Sequence, residues 1–181
     1  VRSNLESLLN AFGVTNLKIA DEMFVLHEGH VLGVCDQLFE MGSPFNVWAY
    51  ARVDTVKPRF LDKIRRAGIR WLALGIEAAD STVRDGQDKG FTDDKIRETV
   101  RICREAGIHV LGNYIFGLPS DTKDTMQRTL DLALELQCEW ANFYSAMAYP
   151  GSALYDQAVK AGTRLPKSWT GYAQLSRECV P

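Results

Sequence analysis

Five short polar clusters recur along this chain: Asp21-Glu22, Arg52-Val53-Asp54, Glu77, Gly117-Leu118-Pro119-Ser120-Asp121 and Tyr149-Pro150-Gly151-Ser152. Each follows an apolar, β-rich run, so each falls where a strand exits. Glu77 ends the nearly continuous apolar stretch Trp71-Leu72-Ala73-Leu74-Gly75-Ile76. A carboxylate there accepts hydrogen bonds from ligand hydroxyls off a rigid base, and its structural alternative is an ion pair with Arg52 or Arg84. Arg52 offers a planar fork that grips a carboxylate, unless Asp54 or Glu77 already holds it. Gly112 and Gly117 bracket Asn113-Tyr114-Ile115-Phe116. Glycine inside a strand marks close approach of a ligand or tight packing of another element, and both readings stand.

Metal chemistry finds little support. His27-Glu28-Gly29-His30 spaces its histidines i, i+3 around a glycine, whereas the zinc helix motif needs i, i+4 on one face. Cys35, Cys103, Cys138 and Cys179 are widely scattered, with no close pair around which one loop could wrap a metal. The first three lie in or beside apolar helical patterns and read as small buried hydrophobes. No Ser-His-Asp or Cys-His order stands out, so no catalytic residue is assigned and no metal ligand is expected on this chain.

The elements that must position these clusters follow from periodicity. Strands are predicted at Leu17 to Ala20, Asn46 to Ala51, Arg70 to Ile76, His109 to Gly117 and Trp140 to Met147, with helical apolar spacing between them. A capping box, Ser3 with Glu6, starts a first helix over Asn4 to Phe12; Thr92 and Asp121 or Thr122 cap later ones. Met41-Gly42, Ala67-Gly68-Ile69 and Ala106-Gly107-Ile108 repeat one helix stop, a glycine that turns left-handed before a strand. Strands alternating with helices at this spacing favour a parallel α/β sheet. No dinucleotide glycine fingerprint follows any strand, which favours a barrel over an open sheet.

The opening helix has no strand before it, and a parallel unit normally begins with one. The expectation is a piece of a longer protein. Residues 1–164 then form the central and C-terminal part of a barrel, and residues 165–181 a tail or the start of a removed domain. Trp48, Tyr50, Trp140, Tyr144 and Tyr149 either line a cavity or fill core. With 181 residues, 46% hydrophobic and 24% charged, and a net charge of -2 spread along the sequence, the chain has the composition of one globular domain. No polybasic surface suggests nucleic acid and no apolar run suits a membrane, so the reading is a soluble, cytoplasmic protein.

In that order, Asp21-Glu22-Met23-Phe24, Ala51-Arg52-Val53-Asp54, Leu74-Gly75-Ile76-Glu77-Ala78-Ala79, Gly112-Asn113-Tyr114-Ile115-Phe116-Gly117-Leu118-Pro119 and Ala148-Tyr149-Pro150-Gly151-Ser152-Ala153-Leu154-Tyr155 resemble the radical S-adenosylmethionine enzymes. The likeness is greatest to the branch that often carries an upstream cobalamin-binding domain. The resemblance implies a partial (βα)6 TIM-like barrel, here missing its first strand and cluster loop. It further implies S-adenosylmethionine, a 4Fe-4S cluster, cobalamin in the full-length protein, a reductant protein, and a 5'-deoxyadenosyl radical acting on a small molecule. By the same resemblance Arg52 lies near the methionine carboxylate and Glu77 holds the ribose hydroxyls. Asp21 and Glu22 lie near the methionyl amine, and Asn113, Ile115 and Gly117 run along the adenine, with Tyr149 on the final turn. The family's C-x-x-x-C-x-x-C run is absent, so the chain alone is expected not to generate the radical. Two alternatives remain: a metal-free barrel lyase or isomerase segment with Glu77 as base and Arg52 as anion clamp, and a nucleoside-binding module that does no chemistry.

Overall fold

The computed structural model describes residues 2–85, 90–173 and 176. Helix α1 (Arg2–Phe12) precedes strand β1 (Asn16–Lys18); then come α2 (Glu28–Glu40), β2 (Asn46–Arg52), α3 (Pro58–Arg66), β3 (Ile69–Glu77), α4 (Ser81–Asp85), α5 (Asp93–Glu105), β4 (His109–Phe116), α6 (Lys123–Leu136), β5 (Trp140–Ser145), α7 (Ala153–Lys160) and a 3-10 turn at Trp169–Tyr172. The five strands pair only in parallel and lie in sequential order, β1-β2-β3-β4-β5. Right-handed crossovers that always step the same way put every connecting helix on the same face. An open doubly wound sheet reverses direction once; this one does not, and it curls into a half-barrel.

Burial alternates accordingly. Val47, Ala49 and Ala51 of β2 are buried beneath the helices, while Asn46, Trp48, Tyr50 and Arg52 face the concave side. The helices meet the sheet through Val31, Cys35 and Leu38 of α2, Phe60, Leu61 and Ile64 of α3, and Ile96, Val100 and Cys103 of α5. Two buried threonines tie helices to strand exits. Thr99 Oγ1 donates to the Val53 carbonyl at 3.1 Å, and Thr129 Oγ1 accepts the Ala79 N–H at 3.0 Å. The loops after β2 and β3 are thereby held by the layer beneath them.

The Thr92 and Thr122 caps are formed, through the N–H groups of Lys95 and Thr125; each such cap contributes about 1 kcal/mol. The Ser3 capping box is not formed. The first helix already begins at Arg2, which places Ser3 inside it, and the Glu6 carboxylate is taken by Arg2 Nε at 2.7 Å. β4 stops at Phe116 because Gly117 is left-handed at φ +81°. β5 ends at Ser145 rather than Met147, and β1 is displaced to Asn16–Lys18. The short α4 lacks the length for an apolar period and was not legible in the sequence.

All three helix-ending glycines have positive φ: 75° at Gly42, 94° at Gly68 and 74° at Gly107. A methyl at Gly68 collides with the carbonyl oxygen of Phe45, whereas at Gly107 the nearest atom is Nε of the flexible Arg65 side chain, at 3.4 Å. Gly68→Ala is therefore expected to cost about 2–4 kcal/mol, conformational strain plus overpacking, against about 1 kcal/mol for Gly107→Ala. Urea denaturation midpoints of the two variants check this; equal shifts refute it.

Candidate functional site

Register sets what the concave face presents. Arg52 of β2 pairs with Gly75 of β3, Gly75 with Asn113 of β4, and Asn113 with Asn142 of β5, giving one row across four strands. Below it, toward the strand starts, Tyr50, Ala73, Leu111 and Trp140 form the next row, and Trp48, Trp71 and His109 the one after. The face thus changes from aromatic at its base to polar at the strand exits. Glycine at the centre of the polar row contributes no side chain, and the space there is a hollow of about 460 Å3 lined by Glu22, Met23, Tyr50, Arg52, Ala73, Gly75, Glu77, Asn113 and Tyr144, with the Ala51 main chain. That volume suits a small molecule.

Glu77 enters this hollow from an unusual backbone. Its φ is +65°, and the Ala78 N–H donates to the Ile76 carbonyl at 3.0 Å, closing a left-handed γ-turn about Glu77. Such turns are rare and cost on the order of 1–3 kcal/mol. The ladder is interrupted at the same place: Gly75 pairs with Asn113 but Glu77 with Tyr114, so β3 uses two residues where β4 uses one. Ile76 remains fully buried on the helix side. The strain therefore sits on the carboxylate-bearing residue at the mouth of the hollow.

Arg52 reaches the hollow already oriented. Its Nε and Nη2 donate to Asp54 Oδ1 and Oδ2, each at 3.0 Å, and Lys57 Nζ donates to the Asp54 carbonyl at 2.8 Å. Of the partners weighed for the Arg52 fork, Asp54 is thus one it has. Arg84, weighed as a partner for Glu77, is 1% exposed and donates to the Ala78 and Ala79 carbonyls and to Asp93.

Of the sequence-derived site residues, Glu22, Arg52, Glu77 and Asn113 meet in the one hollow. Asp21 is next to it, with Oδ1 accepting the Met23 N–H at 2.9 Å and Oδ2 3.8 Å from His30 Nε2. Ile115 packs with Ala78, Val83 and Leu118. Gly117 lines a separate hollow with Pro119, Met147 and Leu154, and its N–H donates to Asp121 Oδ2 at 2.9 Å. Tyr149 is exposed, its ring 6.3 Å from Tyr172. Gly112 faces the helices, and a methyl there meets the Tyr114 ring at 2.8–3.0 Å, so packing accounts for this glycine. Sequence reasoning missed Gly75, whose inward position depends on strand phase, and Met23, which lies in the loop between β1 and α2.

Among the described residues nothing fits an iron–sulfur cluster. Burial pushes the Cys35 thiol up to about 11, Cys103 to about 12 and Cys138 to about 11, which disfavours the thiolates that a cluster needs. Among the described residues no three His, Cys, Asp or Glu side chains gather where they could hold a metal ion; Cys179 lies outside the described residues. S-adenosylmethionine is a different matter, since a carboxylate, an arginine fork and an amide share a hollow of suitable size.

Comparison with known proteins decides the family. The profile of the radical SAM superfamily matches residues 46–133, the segment that carries Arg52, Glu77 and Asn113. The chain belongs to the radical S-adenosylmethionine superfamily. It is 25% identical over 175 residues to an uncharacterized methyltransferase of Pyrococcus horikoshii, covering 97% of this chain and 38% of that protein. It is 30% identical over 161 residues to the anaerobic magnesium-protoporphyrin IX monomethyl ester cyclase of Cereibacter sphaeroides, covering 87% of this chain and 26% of that one. The chain therefore spans well under half the length of these relatives. Its fold is shared with the radical S-adenosylmethionine methyltransferase TsrM of Kitasatospora setae, solved with cobalamin and a 4Fe-4S cluster bound. The TM-score is 0.77 at 20% identity, over 91% of this chain and 32% of TsrM.

The strain at Glu77 yields a stability comparison. Glu77→Ala and Glu77→Gly both remove the carboxylate, but only glycine is relaxed at φ +65°. The glycine variant is expected to be more stable than the alanine variant by about 1 kcal/mol, read from chemical denaturation.

Proposed function

We propose that the hollow binds the adenosyl and methionyl groups of S-adenosylmethionine, and that this chain is the nucleoside-holding part of a radical enzyme's barrel. The observation that carries this reading is the meeting of Glu77, an acceptor-only carboxylate on a strained turn, with the Asp54-oriented Arg52 fork and the Asn113 amide. A ribose diol donates to Glu77, and the methionyl carboxylate addresses Arg52. The methionyl ammonium lies toward Glu22 and Asp21. The segment Asn113, Ile115 and Gly117 runs along the base, with Tyr149 an outlying candidate.

These residues bind and orient; none is assigned a proton transfer. Reductive cleavage of S-adenosylmethionine requires a 4Fe-4S cluster; this sequence has no C-x-x-x-C-x-x-C run, and among the described residues no set of thiols gathers to hold one. We therefore assign cluster binding to another part of the whole protein, with a reductant protein as partner, and expect the isolated chain to bind S-adenosylmethionine without cleaving it. The methyltransferase and cyclase names among the relatives, and cobalamin in TsrM, support a small-molecule substrate and cobalamin for the whole protein.

Calorimetric titration tests the assignment. Glu77→Gln is expected to weaken both S-adenosylmethionine and 5'-deoxyadenosine about tenfold or more, the scale of a hydrogen bond to a charged group. Arg52→Lys should weaken S-adenosylmethionine while leaving 5'-deoxyadenosine unaffected. Wild-type affinity of Glu77→Gln for both compounds overturns the reading.

A further inference from the structure

The inner faces of β4 and β5 carry a chain of side-chain hydrogen bonds that ends at the hollow. Trp140 Nε1 donates to Asn142 Oδ1 at 2.9 Å, and Asn142 Nδ2 donates to Asn113 Oδ1 at 3.2 Å. Tyr144 Oη donates to the same Asn113 oxygen at 3.5 Å. An amide can usually be turned end for end, since its oxygen and nitrogen are nearly the same size. Here one group forbids the reversal. An indole N–H donates and never accepts, so Asn142 must show Trp140 its oxygen and Asn113 its NH2. Asn113 must then offer its own oxygen to β5, and its NH2 is left facing away from that strand. Across the ladder from Asn113 stands Gly75, with no side chain to meet the NH2, and Asn113 lines the hollow. Among the described residues nothing accepts from Asn113 Nδ2.

We propose that Trp140, Asn142 and Tyr144 are positioning residues that fix Asn113 as a hydrogen-bond donor in the hollow, making it a subsite for an acceptor atom of the ligand. This rests on the nucleoside reading of the same hollow and adds a polarity to it. Glu77 accepts from the ligand, and Asn113 donates to it. A ligand is therefore held when it offers hydroxyl donors on one side and an acceptor on the other: a ring nitrogen of a purine or the ring oxygen of a sugar. The span from Trp140 to Asn113 crosses two strands, and none of the three positioning residues needs to touch the bound acceptor.

The test uses this chain with adenosine as probe. Asn142→Asp keeps the acceptor for Trp140 but cannot donate, so Asn113 must reverse and present its oxygen. Adenosine affinity is expected to fall at least tenfold. Trp140→Phe, at a position 61% exposed, removes only the anchor and should weaken binding about two- to fivefold. Both losses should vanish in an Asn113→Ala background, which a merely structural role would not produce. Full affinity in Asn142→Asp, or losses that persist without Asn113, overturns the proposal. Of 1-deaza, 3-deaza, 7-deaza and carbocyclic adenosine, the one lacking the acceptor that Asn113 reads is expected to bind about tenfold more weakly than adenosine, with no such loss in Asn113→Ala; losses that persist unchanged in Asn113→Ala, or no loss with any of the four, overturn the proposal. An unaffected Glu77→Gln, or no adenosine binding by the wild type, sinks the nucleoside reading instead. The relay is then read without ligand from side-chain amide exchange: slow Asn142 and fast Asn113 NH2 protons support it, and the reverse order overturns it.

Discussion

The register of four parallel strands is the constraint on which the hollow depends. Because β2 to β5 run side by side in one direction, residues in step share a face, and Arg52, Gly75, Asn113 and Asn142 fall into a single row. A slip of one residue in any strand would send its member of the row into the helix layer and bring an apolar neighbour into the hollow. The packing on the far side resists that slip. Val47, Ala49, Ala51, Leu72, Leu74, Ile76 and Val110 are all buried, so changing the register means exposing them. Burying one of the valine, leucine or isoleucine side chains among them is worth about 1.5–3 kcal/mol. The apolar core thereby secures the polar row that it never touches.

Strain and satisfaction are divided between the walls of this hollow. Glu77 sits on a left-handed turn inside a bulge, the least comfortable backbone of the polar rim, yet the residue before it is fully buried and the Ala79 N–H beyond it is held by Thr129. On the neighbouring strand, Asn113 is directed by side-chain bonds, its oxygen receiving two donors from β5. One wall is positioned by main-chain geometry and the other by side-chain bonds. Gly75, between Arg52 and Asn113 in the register, puts no side chain into the middle of the row.

The thiols belong to a separate economy of the structure. Cys35 and Cys103 are buried on the helix side of the sheet, and Cys138 is partly buried against the same core. Desolvation raises all three thiols above their ordinary value, away from the thiolate form that cluster ligands need. Superfamily membership and the absence of a cluster motif are compatible on a chain that spans only part of its relatives' length.

Much of this was legible in the residues themselves. Alternation of β-rich runs with helical patterns specified parallel strands, because helical crossovers of this length join strands no other way, and Gly42, Gly68 and Gly107 marked the turns because only glycine is comfortable there. Glu22, Arg52 and Glu77 were legible because each stands at the end of an apolar run, whereas Asn113, in mid-strand, entered through the glycines that bracket it and through the family resemblance. Tertiary structure alone decided the rest. Strand order, not spacing, ruled out a doubly wound sheet; a bulge at Glu77 leaves no mark in composition; and Gly112 answers to the Tyr114 ring. The direction of the Asn113 amide depends on Trp140, a residue 27 positions away in the chain but two steps away in a hydrogen-bond relay. Local periodicity reports which residues share a strand, whereas partners across strands are set by register, a property of the assembled sheet.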